Sequence, residues 1–239
     1  MGRIHRYRTA LTRHHRSGGH GIHSPFAFNF VLNVLRERLP YYDYEVIAEA
    51  RSHVIEDGKR HRRPAVMSLK GAKMLYRIAN YFMPGCVLNV GGHDGISTLA
   101  TLLPSSQTRG VVCQSLNGQN HVIASLLQPY ADRIESCDNL EQAMESYRLT
   151  MAEKAQLPFI VVNAVDDESL MALLRVFIVS LLKEQAVVII RHLNNHRLMM
   201  RLWNDCRAAM TVGHTYTNEK TGIIVTRRDL PLQHFLLWF

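Results

Sequence analysis

The chain has 239 residues, of which 47% are hydrophobic, and carries 28 Lys and Arg against 20 Asp and Glu. That length suits one large domain, or one domain with an appendage. No apolar run approaches the roughly 18 residues of a membrane span, since the longest, Leu173 to Leu182, is broken by Arg175 and Ser180. Arg and His recur from Arg3 to Arg16, so the start lacks the apolar centre of a signal peptide, and the expectation is an uncleaved cytoplasmic protein. Cys86, Cys113, Cys137 and Cys206 are too dispersed for a CxxC metal or redox motif and read as buried free thiols.

The basic charge sits at the front. Residues 1–63 hold 12 Lys and Arg against 6 Asp and Glu, whereas residues 64–239 hold 16 against 14. Residues 1–20 read as a flexible basic arm, with five arginines, three histidines and no acid before Ser17. Such an arm neutralises phosphates of nucleic acid or of an anionic membrane surface, and a solubilising tail has the same composition.

Residues 21–63 form an N-terminal helical segment. Ser24-Pro25 is an N-cap followed by a proline whose missing N–H had no partner in the first turn, and a helix is predicted from Phe26 to Leu35. A second runs from Tyr44 to Ile55. Glu56 to Pro64 reads as a charged linker. Residues 64–239 form the main domain: Ser68 caps a helix reaching Phe82, and strands then alternate with helices. Strands are predicted at Cys86–Val90, Gly110–Cys113, Arg133–Ser136, Phe159–Val162 and Ala186–Ile190, with helices at Ile96–Leu103, His121–Leu127, Leu140–Lys154, Ser169–Leu182 and His196–Ala209. That alternation means βαβ units and a doubly wound, mainly parallel α/β sheet. Met210–Thr217 and Gly222–Thr226 read as an antiparallel hairpin through Asn218-Glu219-Lys220-Thr221, and His234–Phe239 as a further strand.

In open α/β sheets ligands bind beyond the carboxyl ends of the strands, where the strand order reverses. The first βα turn here spaces Gly91 and Gly95 as G-x-x-x-G, with Gly92 and His93 between them. This is neither the G-x-G-x-x-G of dinucleotide binding nor a P-loop. On the GIHSPF segment Gly21–Phe26, the turn ending Gly95-Ile96-Ser97-Thr98, and the QHF-x-L-x-F run Gln233–Phe239, residues 20–239 resemble class I S-adenosylmethionine-dependent methyltransferases, in particular a bacterial O-methyltransferase-like group.

The resemblance implies a Rossmann-like sheet of seven strands closed by the antiparallel hairpin. It implies S-adenosylmethionine as cofactor, with Asn89, Gly91, Gly92, His93, Gly95, Ser97, Ser115, Asp138 and Asn163 around it. The chain also departs from the family pattern. Asn89 replaces an acid of the first strand, and Cys113 to Asn117 has no acid for the ribose hydroxyls. Asn163-Ala164 and Arg191-His192 replace the acids expected after the fourth and fifth strands. Without those carboxylates no catalytic magnesium or calcium is expected. His192 is a candidate general base, Asp166 a second candidate catalytic residue, and Arg191 a positive wall for an anionic substrate. Three functions stay open: methyl transfer to a small molecule or glycan precursor, a degenerate binding or scaffolding module on the same fold, and an RNA-directed enzyme or RNA-binding protein using the arm. A homodimer contact and a lid are both open for the helices before Pro64.

Overall fold

In a computed structural model of the chain, the described residues are 17–61, 66–92, 94–113, 121–152 and 157–239. Helix α1 (Pro25–Phe30) starts as its sequence dictates: Ser24 Oγ accepts the Ala27 N–H at 3.3 Å. The chain does not continue as the single α-helix expected to Leu35. Val31–Leu35 widens into a π-helical turn, and the Arg77 guanidinium donates to its last carbonyls, Val34 O at 2.6 Å and Leu35 O at 3.1 Å.

Helix α2 (Asp43–His61) runs past Ile55 through most of the expected linker. Glu56, Lys59 and Arg60 are good helix formers, and the one glycine, Gly58, costs only about 1 kcal/mol in a helix. Helix α3 (Leu69–Phe82) is capped by Ser68 Oγ, which accepts the Gly71 N–H. Residues 17–20, assigned to the arm from composition, touch the fold through Ser17, whose carbonyl accepts from Arg36 and whose hydroxyl accepts the Trp238 N–H at 2.6 Å. The rest of the arm, residues 1–16, lies outside the described residues.

From Cys86 the βα alternation follows: β1 (Cys86–Val90), α4 (Ile96–Leu102), β2 (Arg109–Cys113), α5 (His121–Leu127), β3 (Ile134–Cys137), α6 (Leu140–Ala152), β4 (Phe159–Val162), α7 (Glu168–Leu182), β5 (Ala186–Ile190) and α8 (Arg197–Ala209). The hairpin is β6 (His214–Thr217) and β7 (Gly222–Thr226), and β8 (Gln233–Leu236) follows. The sheet order is β3-β2-β1-β4-β5-β7-β6-β8. β1 to β5 pair in parallel, and β7 runs antiparallel to β5 and β6. The seven strands implied by the resemblance are present, and β8 adds an eighth along β6.

Helices cover both faces. On one, Phe30, Leu75, Ile78 and Leu99 from α1, α3 and α4 pack on Val87, Phe159 and Tyr216. On the other, Tyr147, Leu174, Phe177 and Trp203 from α6 to α8 pack on Leu88, Ile160 and Val188. The first core therefore unites the N-terminal helical segment with the sheet. Among the described residues no helix is long and apolar enough to cross a membrane. All four cysteines are buried and free, and burial pushes the Cys86 thiol up to about 12 and Cys113 up to about 11.

The two terminal motifs meet in one aromatic cluster. Phe26 stacks on Phe30 with ring centroids 5.9 Å apart, Phe30 lies 4.9 Å from Tyr216, and Tyr216 stacks on Phe235 at 5.3 Å. His214 sits among Phe26, Tyr216 and Phe235, with Nδ1 at 3.0 Å from the Tyr216 hydroxyl and Nε2 buried without a hydrogen-bond partner.

Burial, helped by the nearby Arg227 cation, pulls the His214 imidazole down from 6.5 to about 4. Between these values the unfolded chain binds the proton that the folded chain refuses, so stability is full above pH 6.5 and declines as the pH falls towards 4. The loss amounts to about 3 kcal/mol. Urea unfolding of wild type and His214→Gln at pH 7 and pH 5 should show the wild type losing more stability than the variant. Gly222 gives a second check. A Cβ there would lie 2.4 Å from the Trp203 ring, so Gly222→Ala should cost about 1–3 kcal/mol in the same assay.

Candidate functional site

After β1 the chain builds towards β2 and β3, and from β4 it builds the other way, so β1 and β4 flank the point where strand order reverses. Their carboxyl ends are held together by backbone. The Asn163 N–H donates to Val90 O at 2.9 Å, and the Gly91 N–H donates to Cys113 O at 3.2 Å. Gly91 has φ +70°, and a Cβ there would fall 1.7 Å from Ala164 O. Glycine at this position is therefore required by the approach of the β4–α7 loop, before any ligand is considered. Gly95, at φ +69°, is the N-cap of α4. Between them Asp94 accepts the Ile96 N–H at 3.1 Å and, across 27 residues of sequence, the Met67 N–H at 2.6 Å. The turn is thus tied to the segment entering α3.

The turn does not close the crevice. A cleft of about 560 Å³ opens beyond it, lined by Gly91, Gly92 and Asp94 together with Arg191, His192 and Lys220. Two of its lining residues belong to a polar bridge: Asn163 Nδ2 donates to Ser97 Oγ at 3.1 Å, and Arg191 Nη1 donates to Asn163 Oδ1 at 2.7 Å. The Arg191 guanidinium is buried enough for desolvation to lower its pKa, an effect that Asp94 opposes. Its direct partner is a neutral amide. His192 follows at φ +61°, a left-handed conformation uncommon outside glycine.

The sequence matches no family model and no curated protein. Solved structures share the architecture. An O-methyltransferase from Bacillus cereus in complex with SAH superposes with a TM-score of 0.57 at 16% identity, over 82% of this chain and 96% of that one. The O-methyltransferase TomG from Streptomyces achromogenes, involved in tomaymycin synthesis and solved with SAM, gives 0.55 at 15% identity, over 83% and 95%. A methyltransferase from Geobacter sulfurreducens gives 0.52 at 15% identity, over 79% and 91%. The fold is that of the class I methyltransferases.

On this methyltransferase fold the residues singled out in the sequence fall into three groups. Gly91, Gly92, Asn163 and His192 line the cleft, Ser97 reaches it through Asn163, and Gly95 sets the start of α4. Asn89 and Asp138 stand apart: the buried Asn89 amide donates to Thr101 Oγ1 at 3.4 Å while its Oδ1 has no hydrogen-bond partner, and Asp138 is exposed just after β3. His93 and Ser115 lie outside the described residues. The two candidate catalytic residues are not hydrogen-bonded to each other; the exposed Asp166 carboxylate instead lies 2.6 Å from His196 Nε2.

Three features of the cleft escaped sequence reasoning: Asp94, Lys220, and the contributions of Lys70 and Arg77 from α3. The signal for Asp94 was an acid just before a helix start. For α3 it was the spacing of Lys70, Lys73 and Arg77, which puts three cations on one helix face. The donor set also speaks to metal. Asn163 Oδ1 is already held by a guanidinium, and a divalent cation in its place would face that charge; among the described residues no three of His, Cys, Asp and Glu gather.

Gly91→Ala tests the tightest contact. The new methyl would have to displace the Ala164 peptide, so the variant should lose about 3 kcal/mol or more in urea unfolding. A loss under about 1 kcal/mol would mean that the loops separate easily.

Proposed function

We propose that the chain is a methyltransferase that takes S-adenosylmethionine at residues 91–95 and passes its methyl group to a hydroxyl of a small anionic molecule. The observation carrying this reading is the cleft of about 560 Å³ at the reversal of strand order, lined by the glycine turn, an acid, Asp94, and the pair Arg191 and His192. The residues fit the cofactor. Gly91 and Gly92 let a ligand approach the backbone, and Asp94 offers negative charge to a molecule bearing a sulfonium and an ammonium group.

When bound, S-adenosylmethionine supplies a methyl group on a good leaving group, so what remains for the chain is to place the acceptor and take its proton. His192 is suited to receive that proton, since imidazole titrates near neutral pH. Its left-handed backbone fits a position held for function at a cost in strain. Arg191, with Lys220 nearby, suits an acceptor carrying negative charge. The ribose hydroxyls would be met by neutral groups, and the loss of a charge-assisted pair of hydrogen bonds makes donor binding weaker by about ten- to a hundredfold.

One observation favours a second reading, a binding module on the same fold without catalysis. The Ser97–Asn163–Arg191 bridge stands where the resemblance leads one to expect carboxylates. Turnover separates the two.

Calorimetry with S-adenosylmethionine should show binding in the micromolar to low millimolar range, with Asp94→Asn weaker by about tenfold. His192→Asn should keep donor binding and lose methyl transfer. No heat at millimolar donor would remove the methyltransferase reading. Binding without transfer to any hydroxylated anion would leave the second.

A further inference from the structure

A second hollow, of about 500 Å³, adjoins the cleft and shares Lys70, Arg77, Trp238 and Phe239 with it. Its walls are cationic. Lys70, Lys73 and Arg77 stand three and four residues apart on α3 and so share one face, and Arg36 and Arg38 face them from the segment after the π turn. Among the described residues none of Arg36, Lys70, Lys73 and Arg77 has a carboxylate within ion-pair distance. Arg36 donates to Ser17 O. Lys73 lies over the Tyr44 ring at 4.5 Å. Arg77 spends its guanidinium on the Val34 and Leu35 carbonyls and the Tyr44 hydroxyl. Glu37, the one acidic side chain of the lining, accepts from the Tyr41 hydroxyl at 2.8 Å, and Phe239, which also lines the hollow, brings an α-carboxylate against five cationic side chains.

This arrangement opposes stability. Like charges at these helical spacings repel one another. Lys70 lies in the first turn of α3, which contains no acid, so its charge adds to the positive end of the helix dipole rather than opposing it. Local rules broken together in one hollow beside a ligand cleft point to a ligand that supplies the missing charge. Its chemistry follows from the donors. The lysines act as separate point charges and the arginine is already committed, so a multi-oxygen dianion matches them better than a carboxylate gripped in two-point fashion.

We propose that this hollow, centred on Lys70, Lys73 and Arg77, binds a phosphate or diphosphate ester. Resting on the methyl-transfer reading, the ester belongs to the acceptor, whose hydroxyl end reaches past Trp238 and Phe239 towards His192. The phosphate site itself does not require that reading.

The test uses the full chain with pyrophosphate as probe, by calorimetry at low salt. Wild type should bind. Lys70→Ala/Lys73→Ala should lose about tenfold or more in affinity. Lys183→Ala/Arg228→Ala, which removes the same charge far from the hollow, should change it less than about twofold. The first variant should keep a melting temperature close to that of the wild type, because relief of repulsion offsets the lost Lys73–Tyr44 contact, and a matching melting curve separates a loss of binding from unfolding. S-adenosylmethionine is titrated separately into the wild type, whose binding of it reports on the methyl-transfer reading alone. Absence of pyrophosphate binding, or equal losses in both double variants, overturns the proposal. If pyrophosphate behaves as expected and S-adenosylmethionine does not bind, the phosphate site stands and the methyl-transfer reading falls. Vesicles of phosphatidylglycerol identify the source of the ester: co-sedimentation lost with Lys70 and Lys73 assigns it to a lipid headgroup, and co-sedimentation indifferent to them assigns it to a soluble molecule.

Discussion

The contact between the Gly91 backbone and Ala164 fixes everything that matters about the cleft. Two loops leaving neighbouring strands in opposite directions approach so closely that no side chain fits between them. That approach brings Asn163 against Ser97 and within reach of Arg191, and it places the turn so that Asp94 can bind the Met67 N–H before α3. The helices ahead of the sheet are thus joined to the ligand edge through a carboxylate as well as through their shared apolar core. A glycine that looks reserved for a ligand is, in the first instance, reserved for the chain itself.

The electrostatics of the cleft follow from a few exchanges. Amide and guanidinium groups stand where acids would suit a divalent cation. A part-buried Arg191 held by a neutral partner keeps its positive charge available, and Lys70, Arg77 and Lys220 add the same sign to the lining. Asp94 is the counterweight on the turn side. Asp94 suits a cationic donor, and the cations that share the lining with it suit an anionic molecule.

Much of the fold was legible because burial imposes pattern. The parallel strands read as short apolar runs, since both faces of the sheet are covered, and the hairpin announced itself through its turn, where Asn218 Oδ1 accepts the Lys220 and Thr221 N–H groups. What was not legible depends on partners distant in sequence. The π turn at Val31–Leu35 ends on a guanidinium more than 40 residues away, and α2 continues past Ile55 through a charged stretch whose sequence carries no apolar period. The site was readable as a turn and a set of exchanges, but not as a geometry. Asp166 pairs with His196, and Asn89 is turned to Thr101, as only the packed structure reveals.

The most direct measurement is a crystal structure of the chain grown with S-adenosylhomocysteine. The account expects the ligand against the backbone of residues 91–95, with its amino acid end near Asp94 and the Gly91–Ala164 contact intact. A ligand seated elsewhere on the molecule, or crystals grown in millimolar S-adenosylhomocysteine whose cleft is filled by the chain's own side chains, would contradict it.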